Sequence, residues 1–220
     1  FVDKRLITVT VVAEAGIGKS RLLAELEAWS EARPESFFIF RGRATPQTQS
    51  QPLGLLRDVL AWRFQIADDD TLEVAKAKFE QGIVPLFLHD DGADLAEGHA
   101  HLLGHLLGID YSCSRHVRGI LDDPRQIRNR ALHAAVQVFR RVSIEGSRPV
   151  VLELEDLHWA DEGTLDLLAL LGRRIGATTA TLVVTLRPDE AGDRLRGTLG
   201  ELPSAVVRRI DLGPLGAASV

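Results

Sequence analysis

Lys19 and Ser20 end the run AEAGIGKS at residues 13–20, and their neighbours make them chemically specific. An apolar, β-branched stretch at residues 5–12 leads into the run, and the helix-forming LLAEL at residues 22–26 leads out of it. Strand, glycine-bearing loop, Lys-Ser and helix together build a cradle for phosphate. The backbone of Glu14, Ala15, Gly16, Ile17, Gly18, Lys19, Ser20 and Arg21, the Lys19 ammonium and a helix N-terminus converge on one anionic point. The Ser20 hydroxyl suits a magnesium ion bridging the β- and γ-phosphates of a nucleoside triphosphate. One position departs from the pattern G-x-x-x-x-G-K-S/T, which opens on glycine where this chain has Ala13. A negative φ at Ala13 leaves the loop competent, and a positive φ there strains it. The plain alternative is a glycine-bearing strand–helix turn with no ligand.

The second cluster is VVLELEDLHWAD, residues 150–161. A short apolar strand delivers Glu155 and Asp156 at its carboxyl end, where open α/β sheets bind their ligands. A phosphate site needs an acid there to hold magnesium and a second polar group to orient a water. Glu155 takes the first role and Asp156 the second; the alternative is a pair of exposed strand-end acids. Glu153 lies inside the apolar stretch, where a lone carboxylate is costly. It is expected to pair with an arginine or to be partly exposed; a third acid near the site is the other reading.

The elements that must position these groups are legible in the hydrophobic pattern. Strands are expected at residues 5–12, 37–40, 150–154, 180–186 and 205–212, and helices at 19–32, 164–175 and 189–199. Residues 53–143 read as helical throughout, broken at Gly82, Pro85, Gly92, Gly108 and Pro124. The expected fold is α/β: a doubly wound, mostly parallel five-stranded sheet of the P-loop NTPase kind, with a helical insertion or lid between its second and third strands. The whole of residues 1–220 is read as a single domain.

Composition narrows the function classes. Of 220 residues, 45% are hydrophobic, enough for a substantial core. The net charge of −5 argues against a dedicated nucleic-acid or anionic-membrane surface. No apolar run approaches the roughly 20 residues of a membrane span. The single cysteine, Cys113, excludes an internal disulfide and suits a reducing cytoplasm. The chain has no methionine, even at its first position, so it reads as a segment of a longer protein.

Taken together, AEAGIGKSRLLAEL, LEDLHWAD and VVTLRPDE, in this order, resemble the ATPase domain of the STAND class of signalling NTPases, AAA-related switch ATPases of large bacterial regulators. The mid-chain text LLGHLLGIDYSCSRHVRGILDDPRQIRNRA further resembles the ATPase module of bacterial fusions with nucleotide cyclase or Ser/Thr kinase domains. The resemblance implies an ATP/ADP switch with magnesium as cofactor and slow, resetting hydrolysis. Its partners would be other domains of the same polypeptide: a cyclase, a kinase or a helical-repeat sensor. It also implies that Arg187 is the sensor arginine that reads the γ-phosphate. A guanidinium at a strand's carboxyl end is well suited to that contact. An ordinary turnover ATPase and a nucleotide-free interaction module remain the alternatives.

Two further groups carry weaker signals. His99, His101, His105, Cys113 and His116 lie close in sequence, and His101 and His105 share a helix face. The leucine stripe around them explains the helix without metal. Arg125, Arg128 and Arg130 are read as a solvated face with Asp122 and Asp123, an arginine finger being the alternative. His158 and Trp159 are read as packing residues.

Overall fold

In a computed structural model, which describes residues 6–34, 37–144, 149–175, 180–202 and 206–214, five strands form one sheet in the order β2-β3-β4-β1-β5. They are β1 (Leu6–Val12), β2 (Phe38–Arg43), β3 (Val150–Glu155), β4 (Ala180–Leu186) and β5 (Val206–Asp211), and every pairing is parallel. In β1 every residue after Leu6 is β-branched, a composition that fits a pleated, buried surface. The expected strand starts at Arg5 and Ala205 lie outside the described residues.

Parallel neighbours require crossovers. Helix α1 (Lys19–Glu31) links β1 to β2, running one way across the sheet, and every later crossover runs the other way. Right-handed crossovers then put α1 on one face and the later helices on the opposite one. Adjacent residues of β2 show the division. Arg41 reaches Glu27 of α1 at 2.9 Å, whereas Phe40 packs against Phe139, ring centroids 5.0 Å apart. Phe139 belongs to α7 (Pro124–Ile144), which lies beside α8 (Glu162–Ile175), itself beside α9 (Asp193–Glu201). Strands β1 and β4 are therefore neighbours whose following helices lie on opposite faces, which opens a crevice at their carboxyl ends.

Between β2 and α7 lie α2 (Pro46–Gln49), α3 (Gly54–Phe64), α4 (Leu72–Ile83), α5 (Pro85–Leu106) and α6 (Arg115–Arg118). Of these, α3, α4 and α5 share the sheet's core, with Leu55, Val59, Phe79, Phe87 and Leu103 buried in one cluster with Phe40, Leu152 and Val184. Each such side chain contributes roughly 1.5–3 kcal/mol of burial. Helix α3 closes onto β2 at Gly42, where an added Cβ would stand 2.4 Å from Val59. The expected break at Gly82 and Pro85 falls at Val84, between α4 and α5. Gly82 lies in the last turn of α4, and an added Cβ there would stand 2.2 Å from the Phe64 ring, so the glycine also serves packing. Gly92 kinks α5, and Gly108, at φ 91°, follows its end. Among the described residues no helix is long and apolar enough to cross a membrane.

Candidate nucleotide site

Residue 13 continues the sheet. Ala13 N–H donates to the Leu186 carbonyl at 3.3 Å, extending the β1–β4 ladder, and its φ is not positive. The loop turns later, at Gly16 (φ 78°) and Gly18 (φ 106°), where the left-handed backbone favours glycine. A Cβ on either glycine would meet nothing within 4 Å, so the loop's crown is open to an approaching group. Gly18 caps α1 without a side-chain hydrogen bond, leaving the first-turn N–H groups available. Glu14, Ala15 and Gly16 are exposed, with Ile17 half-buried.

Lys19 is buried and folds back over the loop, donating to the carbonyls of Ala13 at 2.8 Å and Glu14 at 3.0 Å. Arg21 pairs with Glu25 on the exposed side of α1, so it offers the loop its backbone alone. Ser20 Oγ donates to Glu155 Oε2 at 2.8 Å, joining the loop to the end of β3 across 135 residues of sequence. A hydroxyl and a carboxylate oxygen side by side are ligands a hard divalent cation takes. The ammonium and the helix N-terminus supply what a polyphosphate needs. The residues present thus fit Mg·nucleotide.

Asp156 stands just beyond, in left-handed backbone at φ 52° and ψ 43°. Its N–H donates to Thr185 Oγ1 of β4 at 2.9 Å, which fixes the turn. Its Oδ2 receives Arg43 Nε at 3.0 Å and Nη2 at 2.9 Å from the end of β2. Strand register explains the meeting, since Arg43 lies opposite Glu155. Sequence reading missed Arg43; its only signal was a strand-end arginine two residues beyond Arg41.

Glu153 is buried, and Arg41 holds it with Nε at 3.1 Å and Nη2 at 2.9 Å. Burial raises its pKa above the usual carboxylate value, and the Arg41 bonds oppose that shift. Its partner is therefore the arginine, and the alternative of a third acid at the site is set aside. Asp161, also missed, caps α8 through Thr164 N–H at 3.0 Å and takes the Leu53 N–H at 2.8 Å. Its signal was the spacing D-x-x-T before an apolar helix. The second bond supports Leu53 in left-handed backbone at φ 58°.

Arg187 follows β4 and pairs with Glu190 at 2.7 Å, and its N–H donates to His158 Nδ1 at 3.4 Å. His158 is buried behind Asp156, and burial lowers its pKa below the usual imidazole value. Arg187 directly follows β4, the neighbour of β1 in the sheet, and the hydrogen bond to Glu190 raises its pKa above the usual guanidinium value.

In the histidine group, His101 and His116 lie together, ring centroids 5.6 Å apart, and each histidine is held by other partners. His101 stacks on Tyr111 and bonds Ser114 at 2.8 Å, His99 lies on Phe87, and Cys113 is exposed. His105 accepts the Tyr111 N–H, and His116 receives Arg115 Nε. Among the described residues no group of three or more His, Cys, Asp or Glu is placed to hold a metal ion. Arg125, Arg128 and Arg130 are exposed together with Asp122 and Asp123, as a solvated face requires, and Arg128 pairs with Asp166 of α8 at 3.3 Å.

A phosphate-loop α/β fold with strand-end acids defines a nucleotide-binding class. The chain belongs to the AAA ATPase domain family, whose profile matches residues 4–184. It is similar to an uncharacterized protein of Rhizobium meliloti (strain 1021), 29% identical over 187 residues. That match takes in 85% of this chain but spans only 17% of the relative's length. Among solved structures, the Aeropyrum pernix ORC1 protein in complex with DNA gives a TM-score of 0.43 at 12% identity, over 99% of this chain and 41% of that one. VirB4 of Thermoanaerobacter pseudethanolicus gives 0.41 at 12% identity, over 96% and 78%. The plasmid coupling protein TrwB in complex with ADP and Mg2+ gives 0.30 at 14%, over 87% and 68%.

Proposed function

We propose that this domain is a Mg·ATP-binding switch of the STAND type within a larger signalling protein, with slow hydrolysis that resets it. The observation that carries the reading is the contact of Ser20 with Glu155 directly beside the buried Lys19. Lys19 and the amides of residues 14–21 bind the β- and γ-phosphates. Ser20 and Glu155 hold magnesium, which screens phosphate charge when bound. Asp156 orients the attacking water. Arg43 engages only Oδ2 of Asp156, and no hydrogen bond to Oδ1 is seen among the described residues. A carboxylate already half engaged suits a site built for residence of ATP over rapid turnover. Arg187 reads the γ-phosphate, so ATP and ADP favour different arrangements of this domain against its neighbours in the polypeptide.

The test is calorimetric titration with ATP and ADP, with and without magnesium, on wild type and Lys19→Ala. Wild type binds both nucleotides, and Lys19→Ala weakens ATP binding about tenfold or more, the value of one charge-assisted contact. Unchanged affinity removes Lys19 from the phosphate site. A wild type that binds neither nucleotide leaves an interaction module, and turnover on the order of 10 per second makes it an ordinary ATPase.

A further inference from the structure

Arg187 and Glu190 after β4 and His158 after β3 form a linked set, of which nucleotide binding as proposed above uses Arg187 alone. Arg187 Nη1 donates to Glu190 Oε1 at 2.7 Å. The other oxygen of Glu190, Oε2, stands 3.2 Å from His158 Nε2. His158 Nδ1 accepts the Arg187 N–H at 3.4 Å, so the set closes on itself. The imidazole side chain is fully buried, while Arg187 and Glu190 keep about a third of their exposure. One carboxylate thus lies between a guanidinium and an imidazole.

Two polar atoms of this set are buried without an aligned hydrogen bond: Arg187 Nε and His158 Nε2. Buried donors are rarely left so, and each such case needs a reason. A second arrangement of the set supplies one. With Nδ1 accepting, neutral His158 carries its proton on Nε2, facing Glu190. A small rotation of the carboxylate makes that bond and releases Arg187. The guanidinium's fork is then free for a phosphate, for which it has the same geometric match as for a carboxylate.

We propose that Glu190 determines the ATP-over-ADP preference of this site by competing with the γ-phosphate for Arg187, His158 receiving the carboxylate when ATP displaces it. This rests on Arg187 being the γ-phosphate contact. ADP offers no competitor, so Glu190 lowers affinity for ATP alone and sets how much ATP moves the switch. A ligand shifts an equilibrium only by its differential affinity for the two states.

The experiment measures affinities for ADP and a non-hydrolysable ATP analogue in wild type, Arg187→Ala, Glu190→Gln and the double variant. Glu190→Gln raises the ATP-to-ADP affinity ratio about fivefold, at the low end of coupling between sites, and leaves ADP affinity unchanged. In the Arg187→Ala background the same change does nothing, a result that mere loosening of the turn does not produce. Glu190→Asp, which draws the carboxylate back by one methylene, gives a smaller rise and serves if the glutamine variant folds poorly. A ratio lowered by Arg187→Ala but unmoved by both Glu190 variants overturns the competition and leaves the sensor. A ratio unmoved by Arg187→Ala overturns the sensor reading and the competition with it.

Discussion

Strand β3 carries acids at two depths, and the difference lies in what surrounds each. Glu153, in the strand's interior, is 1% exposed and held by Arg41, which also reaches Glu27 of α1. Glu155, two residues on, shares the same sheet face but stands at the carboxyl edge and meets the Ser20 hydroxyl. The interior acid ties two secondary structures together, whereas the edge acid is available to a ligand. Arginines from β2 follow the same division: Arg41 neutralises the interior, and Arg43 steadies Asp156 at the edge. Depth along one strand thus separates a buried structural pair from the acid of the proposed magnesium site.

The largest effect expected is a crossed outcome of two substitutions. Glu153→Ala leaves Arg41 facing a buried gap and costs on the order of 2–3 kcal/mol in urea unfolding. That is less than the 3–5 kcal/mol of a fully buried pair, because Arg41 keeps some solvent access and Glu27. Nucleotide affinity of the folded protein stays as it was. Glu155→Gln does the reverse: unfolding shifts by no more than about 0.5 kcal/mol, while the magnesium dependence of ATP binding falls about tenfold. If the two variants lose stability alike, depth does not divide the acids.

A pH series sharpens the interior half of the comparison. Burial raises the folded pKa of Glu153 above its ordinary value, so the native state holds that proton more tightly than the unfolded chain does. The resulting contribution to stability is complete below the unfolded pKa of about 4.5 and is lost as pH rises through the folded pKa. Glu153→Gln is always neutral and lacks this dependence. The stability of wild type relative to the Gln variant therefore falls as pH rises from below 4.5 and then levels off. A difference that instead grows with pH shows that Arg41 outweighs desolvation.

What the sequence reveals of this arrangement follows from the range of the forces involved. The β4 stretch, residues 180–186, reads directly because a central strand is apolar on both faces. Lys19, Ser20 and Glu155 read directly because loop and strand-end chemistry is written in consecutive residues. Arg43, Glu190 and the bond from Leu53 to Asp161 do not, since each depends on register or on a fold between distant segments. Gly82, beside the break between α4 and α5, is legible only in part for a related reason. Glycine signals backbone freedom in a sequence, and only the neighbouring Phe64 ring shows that its missing Cβ is what matters.

Ala13 provides the smallest expected effect and the finest probe of the edge. The family pattern places glycine there, as if backbone freedom were required. In this chain the residue is still part of the ladder, with its N–H on Leu186 and its carbonyl receiving Lys19 at 2.8 Å. Its φ is not positive, so the alanine side chain imposes no left-handed strain. Ala13→Gly should leave ATP affinity within about threefold, less than 1 kcal/mol. It should also destabilise the fold by roughly 0.4–1 kcal/mol, because glycine widens the unfolded ensemble without improving the native one. Calorimetry and urea unfolding of the same variant read the two quantities separately. A tenfold gain in affinity from glycine would show that the loop binds phosphate in a conformation alanine resists. Residue 13 would then belong to the moving edge, and the boundary between scaffold and site would lie one residue deeper in β1.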